Sequence, residues 1–134
     1  MGYDGMKKWI LLFLAALLLT ACAYEKENKK ESTYMNITAE EAKRIMDTEE
    51  GYIILDVREQ EEYDQGHIPG AILLPLGTVA DQAHAVLPDR DQLLLVYCRS
   101  GRRSKQAAGI LVELGYTNIK EFGGILDWPY EVEQ

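Results

Sequence analysis

The chain has 134 residues, two cysteines, and 14 Lys and Arg against 22 Asp and Glu, for a net charge of −8. So acidic a balance argues against binding nucleic acid or an anionic lipid surface through charge. Two cysteines cannot build a disulfide framework, and the length allows one hydrophobic core rather than two.

The first element in chain order reads as a targeting segment. Lys7 and Lys8 precede an apolar run from Trp9 to Leu19, and Thr20-Ala21 supplies the small residues a signal peptidase needs. The run is short for a membrane span, which takes about 20 residues. An uncleaved, tilted anchor is the competing reading. Leu19-Thr20-Ala21-Cys22 resembles the lipobox of bacterial lipoproteins. That resemblance implies cleavage before Cys22, lipid on its sulfur and an extracytoplasmic, membrane-anchored protein. A stray cysteine after a signal peptide is the alternative. Loss of residues 1–21 removes Lys7, Lys8 and Asp4 and leaves 12 basic and 21 acidic residues, a net charge of −9. Ala23 to Ser32 is charged and without apolar periodicity, as a solvated tether would be. The expected organisation is therefore a signal peptide over 1–21, a tether over 22–33 and one domain over 34–134.

Within the domain, Thr38 and Glu41 form a capping box ahead of a short helix with Ala42, Ile45 and Met46 on its apolar stripe. Tyr52 to Val57 is apolar enough for a strand buried on both faces. Glu59 to Tyr63 reads as an acidic, solvated helix ended by Gly66. Ala71 to Leu74 is a short strand, Thr78 to Val86 a helix, and Pro88 to Asp91 a turn. Gln92 to Tyr97 is the strongest strand signal. Ser104 to Leu114 is a helix with Ala107, Ala108, Leu111 and Leu114 on one face and Gly115 as its stop. Asn118 to Phe122 is the last strand, followed by Gly123-Gly124 and Trp128. This alternation predicts an α/β fold with a central parallel sheet and helices on both faces.

Parallel sheets of this kind place ligands beyond the carboxyl ends of their strands. Cys98 ends the strongest strand, and a helix begins just after it. Between them lies Arg99-Ser100-Gly101-Arg102-Arg103, in which Gly101 permits a tight turn and the backbone amides can form an anion-binding nest. Arg99, Arg102, Arg103 and Lys105 crowd a helix N-terminus, where cations are unfavourable unless an anion joins them. Nest, helix dipole and cations all favour a thiolate, so Cys98 is the candidate nucleophile. A buried, inert cysteine is the bland alternative.

Four stretches, in order, resemble the rhodanese-type sulfurtransferases: Leu55-Asp56-Val57-Arg58 through Tyr63, Gly66-His67-Ile68-Pro69-Gly70-Ala71, the loop Cys98-Arg99-Ser100-Gly101-Arg102-Arg103-Ser104, and Gly123-Gly124 with Trp128. The resemblance runs from about Met35 to the C-terminus. It implies a three-layer rhodanese-like fold and transfer of a sulfane sulfur through a Cys98 persulfide, from a small sulfur anion such as thiosulfate to a thiol or cyanide. It implies no metal and no organic cofactor. Arg103, with Arg99 or Arg102, would hold the anionic donor. Related phosphatases and arsenate reductases carry Cys-x5-Arg; here Ser104 stands at that arginine's position, which favours sulfur over phosphate or arsenate. A non-catalytic sulfur carrier or binding module is the second reading. Asp56 and Arg58 read as an internal pair tying a loop to the core, with Glu62 as an additional member. His67 reads as structural at a turn, since a low-pKa thiolate needs no base partner. His84 reads as exposed, and Trp128 as a core or lid aromatic. Oligomeric state is open.

Overall fold

The computed structural model describes residues 33–134. Signal peptide, lipobox and tether, Cys22 included, lie outside them, apart from Thr33 at the tether's end.

Five strands and four helices alternate: β1 (Met35–Asn36), α1 (Ala39–Thr48), β2 (Tyr52–Asp56), α2 (Gln60–Gln65), β3 (Ile72–Leu73), α3 (Leu76–Val86), β4 (Leu93–Cys98), α4 (Arg102–Glu113) and β5 (Ile119–Gly124). A single 3-10 turn, Ile125–Asp127, follows. The sheet order is β1-β5-β4-β2-β3, with every pair parallel. The Thr38–Glu41 capping box forms in both directions, with the Glu41 amide donating to Thr38 Oγ1 and the Thr38 amide to Glu41 Oε2. At the start of α2 the Glu59 amide donates to Glu62 Oε2 at 2.9 Å.

Alternation along β4 sorts side chains to the two faces. Leu94, Val96 and Cys98 pack toward α3 and α4, with Val79, Ala83, Ala107, Ala108 and Leu111. Leu95 and Tyr97 face Ala42 and Ile45 of α1 together with Ile68, Phe122 and Trp128. A strand buried on both faces must be apolar at every position, which is why Leu93 to Tyr97 carries no polar break. The architecture is therefore the expected three-layer α/β sandwich.

Several boundaries differ from the sequence expectation. Helix α4 begins at Arg102 and α3 at Leu76, each two residues early. Strand β5 runs on through Gly124 because Gly124 pairs with Cys98. Strand β1 had no sequence signal: its two residues are exposed, and pairing with Lys120 and Glu121 makes them a strand.

Asp56, Arg58 and Tyr97 form the buried polar node of the sheet's carboxyl end. The Arg58 guanidinium and backbone amide donate to Asp56 at 2.8–3.1 Å, and Arg58 Nη2 also donates to the Gly66 carbonyl at 2.7 Å. Tyr97 Oη donates to Asp56 Oδ2 at 2.6 Å and accepts the Ile68 amide at 3.1 Å. Burial first, then Asp56, pushes the Tyr97 phenol well above its ordinary value, so it stays a donor. The internal pairing expected of Asp56 and Arg58 is present, and it fixes the 66–68 turn against β2 and β4.

Tyr97→Phe should strip the Ile68 amide of its acceptor and Asp56 of a donor, at a cost of about 1–3 kcal/mol. Urea unfolding should show a lower midpoint with an unchanged slope.

Candidate active site

Cys98 is the last residue of β4 and is 1% exposed. Three residues turn the chain from strand to helix. Gly101 takes φ +102°, a conformation costly for side-chain-bearing residues, and this aims its amide back at the sulfur at 3.0 Å. Gly124 lies under the turn, and a Cβ there would run into the Arg99 carbonyl. The Leu126 amide then donates to that carbonyl at 3.2 Å. Gly124 is thus the floor on which the loop rests, and Gly123 before it takes a left-handed φ of +88°.

Ser104, fully buried in the first turn of α4, lies 3.4 Å from the sulfur through its hydroxyl. That hydroxyl also donates to Glu121 Oε1 at 2.6 Å, and the Gly123 amide donates to the same oxygen at 2.8 Å. Glu121 is 2% exposed and faces α4, two residues along β5 from the core residue Ile119. Burial pushes the Cys98 thiol up, but its hydrogen bonding with the Ser104 hydroxyl and the hydrogen bonds from the amides of Ser104, Gly101 and Ser100 outweigh it and bring the thiol below its ordinary value. The favouring of thiolate comes chiefly from hydrogen bonds, where the sequence had pointed to cations as well.

The cations divide differently from the expectation. Arg103 does not stand free for an anion: Nη1 and Nη2 fork onto Glu62 Oε2 and Oε1 at 2.7 and 2.8 Å. Glu62 therefore does not join the Asp56–Arg58 pair, nor is it merely a solvated helix residue. It reaches across from α2 to supply the anion that a cation at a helix N-terminus requires. Arg103 holds its carboxyl down to about 2, against the opposing effect of burial. A carboxyl lowered in the folded state stabilises fully above its free value, and that contribution is lost only as pH falls toward 2. Arg99 and Arg102 are exposed and make no ion pair among the described residues.

A cavity of about 430 Å³ flanks the loop, lined by Arg58, Glu62, Arg99, Leu126, Trp128 and Tyr130 among others. A second, of about 510 Å³, lies between α1 and the C-terminal segment and contains none of the loop residues. His67 takes no part in the loop. Its ring stacks on Tyr63 at 3.7 Å, and its backbone pairs with Glu133. His84 is exposed on α3 and accepts from Arg90. Trp128 is buried with Phe122 and Tyr97. Ser104 and Glu121 escaped the sequence reading as site residues. Ser104 was visible as the residue in the related families' arginine position, and Glu121 as a carboxylate in phase with Ile119.

Ser104→Ala should move the pH midpoint of Cys98 alkylation by iodoacetamide upward, toward the free thiol value of about 8.5. An unmoved midpoint would assign the lowering to the amides alone.

A family model described as "Rhodanese-like domain" matches residues 38–130, and one for the prokaryotic membrane lipoprotein lipid attachment site matches residues 6–23. The chain is 44% identical over 73 residues to thiosulfate sulfurtransferase PspE of Escherichia coli (strain K12), covering 54% of this chain and 70% of that protein. It is 37% identical over 110 residues to the putative sulfur carrier protein YrkF of Bacillus subtilis (strain 168), covering 81% of this chain but only 58% of that protein. Among solved structures, a rhodanese with anions from E. coli superposes with a TM-score of 0.59 at 38% identity, covering 62% of this chain and 98% of that one. Sheet order, loop geometry and these matches agree that the chain belongs to the rhodanese-like family and carries a lipoprotein attachment site at its N-terminus.

Proposed function

We propose that this protein is a thiosulfate-type sulfurtransferase with Cys98 as its nucleophile. The observation that carries the reading is the Cys98 sulfur itself, brought below its ordinary pKa by the loop amides and Ser104 at the carboxyl end of a parallel sheet. The thiolate attacks the outer sulfur of thiosulfate, the S–S bond of the donor breaks, and sulfite leaves with the electron pair. The persulfide anion rests against the amides of Ser100 and Gly101. Cyanide or a thiolate then attacks the terminal sulfur, leaves as thiocyanate or a persulfide, and returns Cys98 as thiolate. Arg99 and Arg102 meet the donor's oxyanions at the mouth of the loop. A sulfur carrier without turnover is the second reading, favoured by the likeness to the putative carrier YrkF.

Thiosulfate should add one sulfur atom to the Cys98 peptide, as read by mass spectrometry, and cyanide should discharge it as thiocyanate; Cys98→Ser should do neither. Loading by thiosulfate without discharge would leave the carrier reading, and no loading at all would remove the enzyme.

We further propose that Cys22 carries the lipid, that residues 22–33 act as the tether, and that the domain works on the extracytoplasmic side of a membrane. Cys22→Ala should then accumulate as unlipidated, uncleaved precursor in cells; normal processing of that variant would refute the assignment.

A further inference from the structure

Four cations surround the turn, Arg99, Arg102, Arg103 and Lys105, and among the described residues only Arg103 is paired. Its partner Glu62 lies 41 positions away in sequence, on α2, and uses both carboxylate oxygens. Glu62 Oε2 is also held from the other side by the Glu59 amide at 2.9 Å. The carboxylate is therefore fixed at two points and does not swing away freely.

Glu62 also lines the cavity beside the loop, with Arg58 and Arg99. Of these lining residues, Arg58 is neutralised by the buried Asp56 behind it, and Glu62 occupies the fork of Arg103 at the start of α4. Among the described residues, an entering anion meets two closed ion pairs and one guanidinium outside any ion pair, that of Arg99. It gains the charge of Arg103 only by displacing a carboxylate that already matches the fork. Capping of α2 needs an acceptor oxygen at this position, but not a second oxygen and not a full negative charge.

We propose that Glu62 is a specificity-determining residue: it withdraws one positive charge from the loop and so selects against small, multiply charged oxyanions at Cys98 in favour of monoanionic and neutral sulfur compounds. The inference rests on Cys98 being the nucleophile proposed above and assigns the charge class of its substrate. Thiosulfate, a dianion, is then a donor the site tolerates, whereas a thiosulfonate, a monoanion, suits it better.

The test compares two alkylating agents of similar size, iodoacetate (an anion) and iodoacetamide (neutral), on the full chain in detergent. The Cys98 peptide is followed by mass spectrometry, which separates it from Cys22. The ratio of the two rates cancels any change in thiolate fraction. Glu62→Gln keeps the shape and one acceptor oxygen, and should raise the iodoacetate-to-iodoacetamide ratio about three- to tenfold at low salt, less at high salt. Arg103→Gln, which leaves Glu62 as an uncompensated charge, should lower the ratio below wild type, and the double variant should return it near wild type. If Glu62→Gln does not fold, Arg103→Gln still decides. A ratio unchanged or lowered in Glu62→Gln, or unchanged in Arg103→Gln, overturns the proposal. The KM for thiosulfate should also fall in Glu62→Gln more than the KM for an aryl thiosulfonate, and equal movement of the two overturns the substrate assignment. Wild-type protein that never takes sulfur from either donor would defeat the sulfurtransferase reading while leaving the alkylation ratios to judge Glu62.

Discussion

One backbone amide, that of Gly101, points at the Cys98 sulfur from 3.0 Å, and much of the carboxyl end of the fold serves to keep it there. The amide can face the sulfur only because Gly101 takes a left-handed φ, turning the chain back on itself before α4 begins. The turn needs a floor without a side chain, which Gly124 supplies where β5 pairs with Cys98. Ser104 and Glu121 then fill the space beneath, so the sulfur meets a hydrogen-bonded wall rather than an apolar one. A buried thiol in apolar surroundings is pushed toward the neutral form, and this set of donors reverses that tendency.

Charge at the site is arranged in closed pairs more than in a simple positive patch. Asp56 absorbs Arg58, and Tyr97 completes that node inside the sheet. Glu62 absorbs Arg103 at the start of α4, where an unpaired cation would oppose the helix dipole. Arg99 and Arg102 remain exposed on an otherwise acidic protein. Both pairs link elements that are not neighbours in the chain, β2 to the 66–68 turn and α2 to α4. The interactions that shape the field at the sulfur are therefore also ties that hold the sheet's carboxyl end together.

Membership of the rhodanese-like family and the lipoprotein attachment site describe two separate parts of the chain. On the proposed lipidation of Cys22, Cys98 is the one thiol left for chemistry. Any persulfide formed on it must be discharged by a second molecule, since the chain offers no resolving cysteine.

Much of the framework was legible in the sequence because it is local. The Thr38–Glu41 box, the unbroken apolar run ending at Cys98, the helical stripe of Ala107, Ala108 and Leu111, and the glycine at 101 each declare an element or a turn within a few residues. Their order alone dictates a parallel sheet with Cys98 at its carboxyl end. The partners of the charged residues were not legible, because they are set by which elements lie side by side. Glu62 and Arg103 meet only once α2 and α4 are brought together, and Glu121 reaches Ser104 only because β5 pairs with β4. The two-residue β1, with both side chains exposed, is a strand solely through pairing with β5. By itself the sequence determined the fold class, the loop and the candidate nucleophile; tertiary structure decided which cations are free, because hydrogen bonding and Coulomb attraction act across space and leave no mark on sequence spacing.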